Sequence, residues 1–246
     1  MVNIICSELI KLKKSFIIPL IIVSAVFIPT VIFISNFGFD YSNVERHLSA
    51  IDIVSNIDIF QIQFLNALLF PILAGYMFSK EFTNKTTNIL YSYPVSRIKI
   101  FFCKSIVTYG LIITIYLINF VCILCMTHLT LGFNEVKNIF IIELKIYAIS
   151  LILQILLMPV SILIGVLSKN ILFPAIFGIL SAVTSMFMMI AGVYMQLSPI
   201  MIPSMPIYYF LNKDPIDFIA VILSGATTFI VSLIADILYL KNCDIN

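Results

Sequence analysis

The chain has 246 residues, of which 61% are apolar and 11% charged, with a formal net charge of +2 and a mean hydropathy of +1.13. This balance excludes a soluble globular domain and a disordered chain, and so small a positive excess is no footprint for nucleic acid. Apolar runs of about 20 residues predict helices that cross a membrane, and the alternation expected of spanning strands is absent, so the expected fold class is an all-α integral membrane protein in a single domain, 1–246.

Residues 1–15 place Ile5, Leu9, Leu12 and Phe16 at helical spacing, opposite Ser7, Lys11 and Lys14. That pattern predicts an N-terminal amphipathic interfacial helix leading into the first crossing, a plain basic anchor being the other reading. A signal peptide is disfavoured because the apolar run Phe16 to Phe39 is long and lacks a small-residue cleavage site. Charge-free runs predict six transmembrane helices at about 16–37, 59–79, 104–127, 146–168, 171–196 and 217–240. The apolar stretch from Asn170 to Asn212 is too long for one crossing, and its second part carries Pro199, Pro203 and Pro206. Prolines so close together break a spanning helix, so a re-entrant or interfacial segment is expected between the last two crossings.

Six crossings put both termini on one side. That side holds ten basic residues (Lys11, Lys13, Lys14, Lys80, Lys85, Arg97, Lys99, Lys104, Lys169 and Lys241) and the other holds four (Arg46, Lys137, Lys145 and Lys213). Basic residues near membrane ends stay inside, so both termini are expected in the cytoplasm. Asp58 and Glu143 fall among the acids of the outer loops.

Enzyme signatures are absent. There is no GxxxxGK phosphate loop, GxSxG elbow or HExxH pair, and the two histidines, His47 and His128, lie at the outer side. Cys122 and Cys125 make a CxxC spacing, but within an apolar helix such residues chiefly fill space, and no second pair completes a metal site. No catalytic, cofactor-binding or metal-binding residue is therefore expected. The charges expected within crossings are Lys104, at the inner end of the third, and Asp236, near the inner end of the sixth, read as a wet carboxylate or a partner for Lys241.

One segment stands out. The second crossing ends FPILAGYMFSKEF, followed by TNKTTNILYSYPVSRIKIFFCK leading into the third. Asn84 to Tyr91 is long enough for two helical turns, with Thr83 or Asn84 as N-cap, and Pro94 ends them because its predecessor Tyr93 is pushed out of helical geometry. The segment resembles the hallmark of type-2 ABC transporter permeases: a Glu after the second crossing, then a Thr, a Leu, a Pro with a basic residue close behind, and a Lys entering the third crossing. The matching positions are Glu81, Thr86 or Thr87, Leu90, Pro94, Arg97 and Lys104. The Gly that commonly precedes the Thr is replaced here by Lys85 or Thr86.

The resemblance implies a coupling helix between helices 2 and 3 that docks on a separate ATPase, which binds the ATP and Mg that this chain cannot. It implies that Glu81 and Arg97 fix the ends of the loop by ion pairing or hydrogen bonds to the interfacial helix, while Ile89, Leu90 and Tyr91 supply the apolar contact. It further implies ABC ATPase subunits and a second permease copy, identical or related, as partners. The length and the opening SELIKLKKSF are similar to permeases of the bacitracin-resistance and lantibiotic-immunity group. That likeness implies a bacterial plasma membrane and export of amphipathic antimicrobial peptides or lipid-like molecules. A stand-alone secondary transporter or channel is the alternative.

Overall fold

The computed structural model describes residues 2–13, 15–37, 50–84, 95–212 and 214–242. These are helical almost throughout, and no strand occurs among them. The order is α1 (Val2–Lys13), α2 (Ile17–Phe37), α3 (Ala50–Asp58), a π-helical stretch (Ile59–Leu65), α4 (Asn66–Thr83), α5 (Arg97–Leu131), α6 (Phe133–Ser168), α7 (Leu172–Met188), two 3₁₀ stretches (Met189–Leu197 and Pro199–Ser204), α8 (Met205–Phe210) and α9 (Phe218–Asn242). Among the described residues, five helices are long and apolar enough to cross a membrane: Ile51–Thr83, Arg97–Leu129, Val136–Ser168, Leu172–Gly192 and Phe218–Lys241. A sixth is counted if α1 and the start of α2, bent by 71° relative to one another, make one broken span.

The helix α6 is the hub. It packs against α9, α4 and α5, and against the 3₁₀ stretch and α8 that precede α9. The helix α4 fills the gap between α6 and α7, while α2 covers α5. Consequently α4 and α6 are the most enclosed helices, and α7 and α9 present broad apolar faces outward.

Close approach in the middle of the bundle rests on small residues. A Cβ on Gly178 of α7 would come within 2.6 Å of the Leu68 carbonyl oxygen, and one on Gly75 of α4 within 2.7 Å of the Pro174 ring. Ser79 and Ser181 use the same proximity, donating across helices to Gly165 O at 2.7 Å and Ala67 O at 3.0 Å. Where water is absent, such packing and interhelical hydrogen bonds replace the hydrophobic drive of soluble bundles.

Several expected boundaries move. The second crossing, expected at 59–79, belongs to one helix of 33 residues that begins at Ile51 and passes through the π stretch. The loop expected between 127 and 146 is helical: α5 runs to Leu131 and α6 starts at Phe133, with Gly132 at φ 89° making the turn. Burial explains the continuation, because Ile139, Glu143, Ile146 and Tyr147 recur at helical spacing on the packed face. The fifth crossing, expected to run to 196, is α-helical only to Met188, and Gly192 at φ 58° breaks the 3₁₀ stretch beyond it.

The helix α1 forms as expected but presents a different face. Glu8 and Leu12 are buried, while Leu9 and Phe16, expected on the apolar side, are exposed together with Val2 and Ile10. One face thus packs mainly on α5 and another leaves apolar side chains outward, the distribution of a helix lying in an interface. The proline-rich segment is built into the bundle and does not lie on its surface: Met201, Ile202, Met205 and Ile207 are fully buried, most of them in a core shared with Leu153 and Val221.

Candidate functional site: a charged junction of three helices

The last turn of α4 carries Glu81, and seven residues into α5 stands Lys104, on the far side of the connection. Lys104 is 4% exposed. A lysine so enclosed requires a counter-charge and further acceptors, since an unpaired buried ammonium is costly. It finds both: its Nζ donates to Glu81 Oε2 at 2.6 Å and to Met77 O at 3.1 Å.

The other Glu81 oxygen faces α1. Lys11 Nζ donates to Glu81 Oε1 at 3.0 Å and to Glu8 Oε1 at 2.6 Å. Desolvation alone would lower the Lys11 pKa, but the bonds to Glu8 and Glu81 outweigh it and hold it above its ordinary value. Glu8 belongs to the enclosed side of α1, so the chain of charges Glu8, Lys11, Glu81, Lys104 ties the N-terminal helix to α4 and α5. Neither Glu8 nor Lys11 stood out in the sequence, where one is an isolated acid and the other one of three clustered lysines.

Arg97, the first residue of α5, lines the same small recess as Glu81 and Lys104, floored by Phe78 and Phe101. The structure therefore brings Glu81, Arg97 and Lys104 together at the two ends of the α4–α5 connection. The other residues of the expected coupling segment, Thr86, Thr87, Ile89, Leu90, Tyr91 and Pro94, lie outside the described residues, as does the expected helix that contains them.

A second polar region lies at the opposite end of the helices. Asp58, expected in an outer loop, is fully buried at the end of α3, where Tyr147 of α6 donates to its Oδ1 at 2.9 Å. Glu143, one turn before Tyr147, is buried as well. Packing thus encloses two acids that hydropathy assigns to solvated loops. Asp236 is corrected too: it is fully buried, neither carboxyl oxygen meets a donor, and no bond links it to Lys241. Below Asp58, Gln63 of the π stretch bonds to α7 through Ser185 O (3.0 Å) and accepts from Tyr208 of α8 (2.7 Å).

Residues 4–187, from α1 through nearly all of α7, match the model of a family described as ABC-2 family transporter protein. The chain belongs to the ABC-2 transporter family. No curated protein and no solved structure matches it. The ABC-2 chain is accordingly a multi-pass membrane protein and the permease subunit of an ABC transporter. Permeases of the ABC-2 family are in general non-catalytic membrane subunits that partner with ABC ATPases. The charged junction falls inside the matched stretch, while the 3₁₀ stretches, α8 and α9 fall beyond it. Among the described residues no group of three or more His, Cys, Asp or Glu side chains could hold a metal ion, and Cys122 and Cys125 are free thiols.

Proposed function

We propose that this ABC-2 chain forms half of the membrane pathway of an ATP-driven exporter that moves amphipathic antimicrobial peptides or lipid-like molecules out of a bacterial plasma membrane. Both termini and the α4–α5 connection face the cytoplasm. A second permease copy, identical or related, completes the pathway, and separate ATPase subunits bind ATP and Mg. The observation that carries this reading is the junction of Lys11, Glu81 and Lys104: it joins three helices at the root of the α4–α5 connection, so that force applied there is delivered to all three. Within the connection, Thr86, Thr87 and Leu90 with Ile89 and Tyr91 would meet the ATPase, Pro94 would end the contact helix, and Arg97 would brace its exit. The broad apolar faces of α7 and α9 suit lipid and a second copy better than water. The likeness of the opening residues to the bacitracin-resistance and lantibiotic-immunity group supports the choice of cargo.

A second reading has its own support. Ionisable side chains inside a membrane protein commonly mark ion or proton routes, and Asp58, Glu143 and Asp236 are all buried, as a stand-alone secondary transporter or channel would have them. Reconstitution separates the two. The chain is placed in liposomes with and without a candidate ABC ATPase, and release of a fluorescent amphipathic peptide or lipid is measured. Export that requires ATPase and ATP, and that falls at least tenfold in Glu81→Ala and Arg97→Ala, agrees with the exporter. Equal transport without any ATPase favours the second reading.

A further inference from the structure

The side chains Asp58 and Glu143 meet where α3, α5 and α6 converge. Asp58 is 0% and Glu143 1% exposed. Their carboxyls are in contact with one another, yet Asp58 Oδ2 and both Glu143 oxygens meet no donor. Among the described residues, the single donor to the pair is the Tyr147 hydroxyl, on Asp58 Oδ1. No lysine, arginine or histidine among them reaches either group.

The surroundings are polar but neutral. From α5, Tyr116 stacks edge to face on Tyr147 and lies against Asn66 at the head of α4. From α6, the hydroxyl of Ser150 points into the core without a partner, and from the π stretch so does Gln61 Oε1. The helix α2 carries no charged residue, and its Ser24 carbonyl accepts from Gln61 at 3.4 Å. Two desolvated carboxylates cannot face each other with both charges in place, because each lacks solvent and each repels the other. A counter-ion is required, and with two carboxyls and, among the described residues, no third acid grouped with them, the smallest one fits best.

We propose that Asp58 and Glu143 form a proton-binding site at the end of the bundle opposite the charged junction, with one proton held between the two carboxyls. Glu143 donates that proton to Asp58, which also accepts from Tyr147, so a site with three orphan oxygens becomes a bonded chain across α3 and α6. Position makes the site reachable. Asp58 lies 23 residues along one continuous helix from Glu81, about 35 Å at 1.5 Å per residue. That is roughly the full hydrocarbon thickness, which sets the pair at the aqueous edge of the far side. Uptake is a proton transfer from water to one carboxylate oxygen, with no other bond made or broken. Release leaves two negative charges in contact and loosens α3 from α6.

The test is infrared spectroscopy of the full chain in nanodiscs, read at the carboxylic-acid C=O stretch, which a carboxylate lacks. Asp236 is another buried acid that meets no donor, so Asp236→Asn serves as the background for every variant. The expected result is a protonated-carboxyl band at neutral pH that survives in Asp236→Asn and disappears when Glu143→Gln is added to that background. The amide of Glu143→Gln replaces the shared hydrogen with a donor of nearly the same shape. Circular dichroism melts give the second readout. The native site binds a proton that the unfolded chain has already released, so the folding equilibrium of the wild type falls as pH rises, by up to tenfold per pH unit. Glu143→Gln flattens that dependence, and Asp58→Asn does the same if it folds. The proposal is overturned if the Asp236→Asn protein shows no such band at neutral pH, or if the band persists when Glu143→Gln is added to it. It is equally overturned if calcium or magnesium raises the melting temperature of wild type and not of Glu143→Gln, which would make the pair a metal site.

Discussion

Lys104 and Glu81 show how one buried charge dictates its neighbourhood. Lys104 is almost wholly enclosed, and its two acceptors are Met77 O and Glu81 Oε2. Removing one partner of such a pair strands the other, so Glu81→Gln is expected to cost about 3 kcal/mol of stability in mild detergent. Glu81→Gln combined with Lys104→Met is expected to cost less than the sum of the two single changes, since the stranded ammonium is gone. Chemical denaturation of the four proteins measures the coupling, and strict additivity would show that the ion pair holds nothing together. Glu81, Arg97 and Lys104 were legible in the sequence, because a carboxylate and two cations flanking a short connection resemble a family hallmark. Their partners Glu8 and Lys11 were not, since the Lys11 to Glu81 bond spans 70 positions and depends on how α1 lies across α5.

At the scale of single elements, glycine separates packing from propensity. Gly178 faces the Leu68 carbonyl at a distance that no Cβ tolerates, whereas Gly110, midway along α5, has nothing within 4 Å of its would-be Cβ. Gly178→Ala is therefore expected to destabilise by roughly 1–3 kcal/mol through forced separation of α4 and α7. Gly110→Ala is expected to stabilise by about 0.5–1 kcal/mol because alanine loses less freedom in a helix. Thermal melts of both variants check the contrast, and equal effects would place the α4–α7 contact elsewhere. The π stretch is another local device. Gln61 and Gln63, two residues apart, point to opposite neighbours, α2 through Ser24 O and α7 through Ser185 O. Helix existence was legible in the hydropathy pattern, because apolar runs of spanning length have few alternatives. Helix ends were less so: residues 133–145 carry charges that mimic a loop, yet their apolar positions recur at helical spacing and pack.

At the scale of the whole molecule, the continuous helix Ile51–Thr83 joins the two polar regions. One end holds Glu81, and the part toward the other end holds Asp58 and Gln63. Gln63 links that helix to α7 and, through Tyr208, to the segment before α9. Gln63→Leu is expected to leave ATPase binding unchanged while lowering transport several-fold, and co-purification with a transport assay reads both. Unchanged transport would mean that the Gln63 tie carries no motion. Orientation has its own check. Cys6 is exposed on α1, so a variant retaining only Cys6 should react with a membrane-impermeant maleimide in inside-out vesicles and be protected in intact cells. The opposite labelling would reverse the assigned sides.

Sequence by itself determined the class of this protein and pointed to the junction of Glu81, Arg97 and Lys104. Hydropathy alone dictates helices where lipid offers no hydrogen bonds to the backbone, and a charged, proline-broken connection between two apolar runs is visible without coordinates. Only the tertiary structure decided which charges are buried and which meet. Asp58 and Tyr147 stand 89 positions apart, and nothing local distinguishes Asp58 and Glu143 from the solvated acids of a loop. Convergence of α3, α5 and α6 removes water from both at once, and desolvation is a property of the packed arrangement that a residue's own sequence neighbours do not set.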